Sequence, residues 1–175
     1  MNTSHETKRA KRIIVELVRQ AGGQFQSKTK LFKAFWKGHL AYAASGPGYL
    51  STWPIVRTPH GPAIGDFDLL LSEMLADGWL TIDEVQVGSA WAIAFSLGPS
   101  CPPSTLSAKA LEAIRAGIAA SDQPHQDSRV WREAQDGEEL DIYLDLIDDA
   151  ERERLERDFA ALAGALGADY ATSRK

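Results

Sequence analysis

Apolar residues recur along the chain with two periods, and the change of period marks the elements. From residue 5 to about 21, Ile13, Ile14, Leu17 and Val18 repeat at helical spacing, with Lys8, Arg9, Lys11, Arg12 and Arg19 around them. Gly22-Gly23 supplies the stop. A second helix is predicted over 27–44, capped by Ser27. On its wheel Leu31, Phe32, Phe35, Trp36, His39, Leu40, Tyr42 and Ala43 share one arc, and Lys30, Lys33 and Lys37 lie opposite. Ser45-Gly46-Pro47-Gly48 breaks it.

Residues 49–58 read as extended, with Pro54 arguing against a central strand, and Pro59-His60-Gly61-Pro62 as a rigid turn. Asp66 is placed to cap a helix running to Asp77, with Gly78 as its terminating glycine and Phe67, Leu70, Leu71, Met74 and Leu75 on its buried face. The period then becomes two. Residues 79–87 and 90–97 form the arms of a hairpin around Gly88-Ser89, and Trp91, Ile93, Phe95 and Leu97 alternate with small or polar residues. A helix followed by such a hairpin resembles half of a winged helix.

After a stiff loop at 98–104, Ser107 caps a helix to about 120 that carries Leu111, Ile114 and Ile118 inside. Residues 130–135 fit a short helix or a strand, Asp136-Gly137 a turn, and the alternation at 140–146 a short strand. Asp148 with Glu151 resembles a capping box for a last helix, whose stripe of Leu155, Phe159, Leu162 and Leu166 is narrow; 168–175 reads as a flexible tail. The expected architecture is a mostly α-helical α+β fold. It has about five helices, a wing-like hairpin and one or two short extra strands, in a single domain over 1–175 with its core at about 10–165.

Composition narrows the function. With 175 residues, 44% hydrophobic and 25% charged, the chain is of ordinary globular make-up. It has no 18-residue apolar run and no apolar stretch near its start, so a cytoplasmic protein is the expectation. The single cysteine, Cys101, excludes an internal disulfide and reads as an incidental thiol. The phosphate-loop, dinucleotide-binding, nucleophile-elbow and HExxH motifs are missing, and His5, His39, His60 and His125 are far apart, so no enzyme, cofactor or metal is expected. His39, inside the apolar arc, reads as a core histidine rather than a base.

The net charge of −5 conceals an imbalance. Residues 1–60 carry a balance of +8 and residues 61–175 one of −13. Nucleic-acid binding through the basic third is one reading. Against it, residues 66–77, where a recognition helix would stand, hold no Lys or Arg. The acidic stretch 133–158, with twelve Asp/Glu and three Arg, is either a solvated face or a surface that steers a basic partner.

Three stretches together resemble the Panacea domain family (SocA-like, DUF4065). Residues 27–40, SKTKLFKAFWKGHL, are similar to that family's lysine–leucine–aromatic helix with its trailing histidine. Residues 54–80 resemble its extended segment, Gly-Pro turn and acidic helix in order, although His60 stands where the family more often has an aromatic. Residues 130–144 are similar to its tryptophan-then-Gly-Glu segment, without the proline often found before the tyrosine. The resemblance spans about 10–147. It implies an antitoxin that neutralises a cognate toxin by direct contact, some relatives acting as proteolytic adaptors instead. The candidate contact residues are Lys30, Lys33, Lys37, His60, Trp131, Glu138 and Glu139. The expected partner is a toxin encoded next door, with a homodimer as an open alternative.

Overall fold

The computed structural model describes residues 4–126, 128–142, 153–154, 157–162 and 164. The chain divides into two compact units, 1–142 and 143–175. The first contains α1 (Ser4–Gln20), β1 (Gln24–Gln26), α2 (Lys28–Ala44), β2 (Ile55–Thr58), β3 (Gly61–Ile64), α3 (Phe67–Ala76), β4 (Leu80–Val87), β5 (Ala90–Leu97), α4 (Ala108–Ala119) and α5 (Arg129–Glu133). This is the mostly helical α+β fold expected.

The stripe of α1 is fully covered at Ala10, Ile13, Ile14, Leu17 and Val18. Gly22 and Gly23 both take positive φ, and the Gly23 N–H closes on the Val18 carbonyl at 3.0 Å. The chain then enters β1, which the sequence reading did not anticipate. Its three residues are too few to show a period, yet Phe25 pairs with Phe95 across a ladder that adds β1 to the hairpin. The sheet order is β1-β5-β4. Helix, strand, helix, helix and hairpin in that sequence, with the first strand beside the last, is the connectivity of a winged helix. Here the β2–β3 hairpin is inserted before the third helix.

That insertion corrects the turn expected at 59–62. Only Pro59-His60 turns; Gly61 and Pro62 already belong to β3, with Arg57 opposite Pro62. Pro62 fits because the Arg57 N–H and C=O point the other way, to the Glu138 carbonyl and the Gly137 N–H, both at 2.9 Å. No ladder bond is asked of the proline nitrogen. Leu140 N–H adds a bond to the Ile55 carbonyl at 2.7 Å, and Glu139 bridges Val56, so 137–140 covers the outer edge of β2.

Helices α2 and α4 cross backbone to backbone. A Cβ on Gly117 would lie 2.4 Å from the Ala34 carbonyl oxygen and 2.6 Å from the Gly38 nitrogen, and around this contact Phe35, Trp36 and Ile114 are wholly buried. Ser27 caps α2 as expected, accepting the Lys30 N–H. Asp66 does not cap α3 with its side chain: it turns the chain out of β3 in the left-handed region, at φ 48°, and the carboxylate makes no capping bond. The buried face of α3 is Phe67, Leu70 and Met74, while Leu71 and Leu75 are half-buried. Gly78 ends the helix at positive φ.

Of the alternatives for 130–135, the structure takes the short helix α5. Of the strand expected at 140–146, only residues 140–142 are described; they form no strand, and Leu140 and Ile142 are buried. Asp148, Glu151, Leu155, Leu166 and the tail at 168–175 lie outside the described residues. In the second unit the described residues are helical, with Phe159 and Leu162 exposed. No helix among the described residues is long and apolar enough to cross a membrane.

Candidate interaction surfaces

One surface forms where α2 meets the β2–β3 hairpin and residues 121–139. The spacing of Lys30, Lys33 and Lys37 sets them along one side of α2, and the loop after α4 folds over the first two. Lys30 Nζ lies 2.6 Å from Asp122 Oδ1, and Lys33 donates to the Gln123 carbonyl at 3.4 Å. The Lys30 hydrogen bond and charge hold the Asp122 carboxyl below its usual range. Lys37 Nζ stands 4.5 Å over the Trp36 ring.

Trp131 is only 6% exposed, and its ring is turned inward. Arg57 stacks on it at 4.6 Å and donates to the Trp131 and Ala134 carbonyls, while its Nε sits 3.2 Å from Asp136 Oδ1. The His125 ring meets the Trp131 ring edge-on at 4.3 Å. It also abuts the hairpin turn, since a Cβ on Gly61 would lie 3.7 Å from its Cε1. Partial burial, then the charges of Lys33, Lys37 and Arg57, hold the His125 imidazole below its ordinary pKa. His60 is exposed in the adjoining turn, its N–H on Thr58 Oγ1. Glu138 and Glu139 are exposed on the segment that covers β2, and Glu138 Oε2 accepts the Gln135 N–H.

Thus Lys33, Lys37, the His60 turn, Trp131, Glu138 and Glu139 surround one hairpin, with Lys30 at the margin. The residues that join them, Arg57 and His125, were not among the candidates. One signal was available: Arg57 is the only Lys or Arg between Lys37 and Lys109.

His39 is a core histidine. Nδ1 lies 2.7 Å from the Phe35 carbonyl, which can only accept, so Nδ1 carries the proton. Nε2 therefore accepts the Ser51 hydroxyl at 2.7 Å, and Ser51 Oγ takes the Trp53 N–H. Burial lowers its pKa to about 4. Trp53, with Nε1 donating to the Gly65 carbonyl, is core as well. Cys101 accepts from Arg19 Nη2 at 3.1 Å. Among the described residues no three His, Cys, Asp or Glu gather as a metal would require.

The second surface is the wing. Residues directly opposite in an antiparallel ladder share a face, so Ile82, Glu84 and Gln86 lie on the same side as Phe95, Ile93 and Trp91. Near the helices this face is core: Leu80, Phe95 and Phe25 are buried, and Phe67 meets Phe95 edge-on. Farther out it is bare, with Trp91 70%, Ile93 45% and Ile82 44% exposed. The period-two pattern is therefore present as expected, but only its proximal half is covered. No family model, curated protein or solved structure matches the chain.

Proposed function

We propose that this is a non-enzymatic, cytoplasmic, antitoxin-like protein that neutralises a toxin by binding it and covering its working surface. The observation that carries the reading is the bare distal wing. A projecting hairpin that keeps a tryptophan and two isoleucines in water presents the residue types that dominate protein–protein hot spots. The polar rim around His60, Lys37, Glu138 and Glu139 supplies a second, charged contact region. The resemblance of 27–40, 54–80 and 130–144 to Panacea antitoxins supports the class of partner.

Co-expression with the product of the adjacent open reading frame tests it. That product alone should arrest growth, this chain should restore it, and the two should co-purify. A harmless neighbour that does not co-purify overturns the reading.

One observation favours a second reading, a nucleic-acid-binding regulator. Lys8, Arg9 and Arg12 of α1, with His5, line a cleft against Thr105 and Leu106. Phosphate contacts there predict DNA affinity that falls steeply with salt in fluorescence anisotropy; no binding at low salt removes it. The acidic α3, in the place of a recognition helix, weighs against this alternative.

A further inference from the structure

The wing ends in an unusual sheet edge. Sheet order leaves β4 outermost, and no strand or bridge other than β5 pairs with it among the described residues. Proteins ordinarily blunt such an edge with shortness, a bulge, a proline or charged side chains, lysine above all; on β4 the only charges are the acidic Asp83 and Glu84. At the opposite edge β1 is three residues long. β4 is eight residues long, in unbroken register from Leu80–Leu97 to Val87–Ala90, without proline or lysine, and rich in β-branched side chains.

The backbone groups that remain open can be assigned. Ser27 N–H bonds the Ile93 carbonyl and Leu97 N–H bonds the Gly23 carbonyl, so 93, 95 and 97 direct their backbone toward β1. The alternate residues 90, 92, 94 and 96 serve β4, where they face 87, 85, 83 and 81. The amides and carbonyls of Ile82, Glu84 and Gln86 therefore point outward from the free edge.

The charge of this region is of one sign. Between Arg57 and Lys109 the sequence has no Lys or Arg, but it has Asp66, Asp68, Glu73, Asp77, Asp83 and Glu84. Lys28 pairs with Asp68, and Lys11 with Glu73 and Asp77. Asp83 and Glu84, adjacent at mid-strand and on opposite faces of the sheet, have no ion pair among the described residues.

Resting on the protein-binding reading above, we infer that the β4 edge receives an extended, basic segment of the partner protein as an added strand. The outward groups of Ile82, Glu84 and Gln86 supply main-chain bonds. Ile82, Ile93 and Trp91 take apolar side chains on one face, and Asp83 and Glu84 each take a Lys or Arg, one per face. A second copy paired about Asp83–Glu84 would instead set carboxylates against one another.

The test uses the full chain and a capped nonapeptide of Val and Thr with a central Lys-Arg pair, alongside the same peptide carrying Glu-Glu. The basic peptide should bind saturably, change Trp91 fluorescence, and slow amide exchange at 82, 84 and 86 but not at 83 and 85. The acidic peptide should bind at least ten-fold more weakly. Gln86→Pro removes one outward N–H without touching a β5 bond and should weaken binding of the basic peptide at least ten-fold with the melting temperature nearly unchanged. If Gln86→Pro unfolds the wing, D83N/E84Q gives the second readout, a loss of preference for the basic peptide.

Equal binding of both peptides overturns the inference, as does exchange protection elsewhere. So does a chain that dimerises through β4 when no peptide is present. If the adjacent product co-purifies equally well with Gln86→Pro, this docking mode fails while the antitoxin reading stands. If the peptide binds as described but no toxin co-purifies, the antitoxin reading is the one that fails.

Discussion

The α2–α4 crossing and the wing use the same kinds of residue to opposite ends. At the crossing, Phe35, Trp36 and Ile114 are excluded from water because Gly117 lets two backbones touch. On the wing, Trp91, Ile93 and Ile82 are just as apolar, but they lie on the distal part of the strands and stay exposed. Hydrophobicity therefore does not distinguish core from surface in this molecule; the distance of closest approach does. One region buries its apolar area in folding; the other leaves it in water, where the proposed function would use it for a partner.

The sharpest way to break that contrast is Gly117→Ala. Its methyl group would meet backbone rather than a yielding side chain, so α2 and α4 must separate, at a cost of about 3 kcal/mol. The denaturant midpoint should fall accordingly.

Next is the buried imidazole on α2. The folded pKa of His39 lies at about 4, below its ordinary 6.5, so the unfolded chain binds the extra proton between these values. Stability contributed by neutral His39 is full above pH 6.5 and is lost as pH falls toward 4, by about 3 kcal/mol in all. His39→Gln lacks this slope, so the stability gap between wild type and variant should shrink as the solution is acidified. A gap that stays constant from pH 7 to 4 refutes the assignment.

Arg57→Ala removes the guanidinium that serves two carbonyls and stacks on Trp131, for about 2 kcal/mol. The effect should appear as faster amide exchange at 130–140 with α1 and α2 unaffected. Smallest of all, Trp91→Ala should move stability by about 0.5 kcal/mol or less, yet, on the function proposed above, weaken co-purification of the adjacent gene product by more than any of the three other changes made at permissive temperature. Equal losses of stability at Trp91 and Gly117 would erase the comparison.

What the sequence disclosed follows from how far each signal extends. The helices α1, α2 and α4 were legible because their periods run over several turns with caps at the ends. β1 was not, since Gln-Phe-Gln has no period and forms only because Phe95 offers an edge. Gly61-Pro62 read as a turn because its local chemistry is that of a turn; that Arg57 directs its backbone elsewhere, freeing a proline to sit in β3, depends on residues eighty positions away. Asp66 was placed at the right position with the wrong role. On the wing the alternation was plain, but a period identifies a face and not what lies against it. The candidate residues around the hairpin were found singly, and their meeting point at Arg57 and His125 is a product of the fold.

The strip at 137–140 that closes the outer edge of β2 also sets an order of events during synthesis. Val56 and Glu139 are far apart in sequence, so a ribosome must add the rest of the wing, α4 and α5 before the second sheet acquires its third member. Until then β2 is an open edge on a nascent chain, available to whatever strand arrives first. A chain interrupted before residue 140 therefore carries the open edge of β2 in addition to that of β4. Truncation in this segment is expected to make the chain aggregate even though the helices α1 to α5 have already been made.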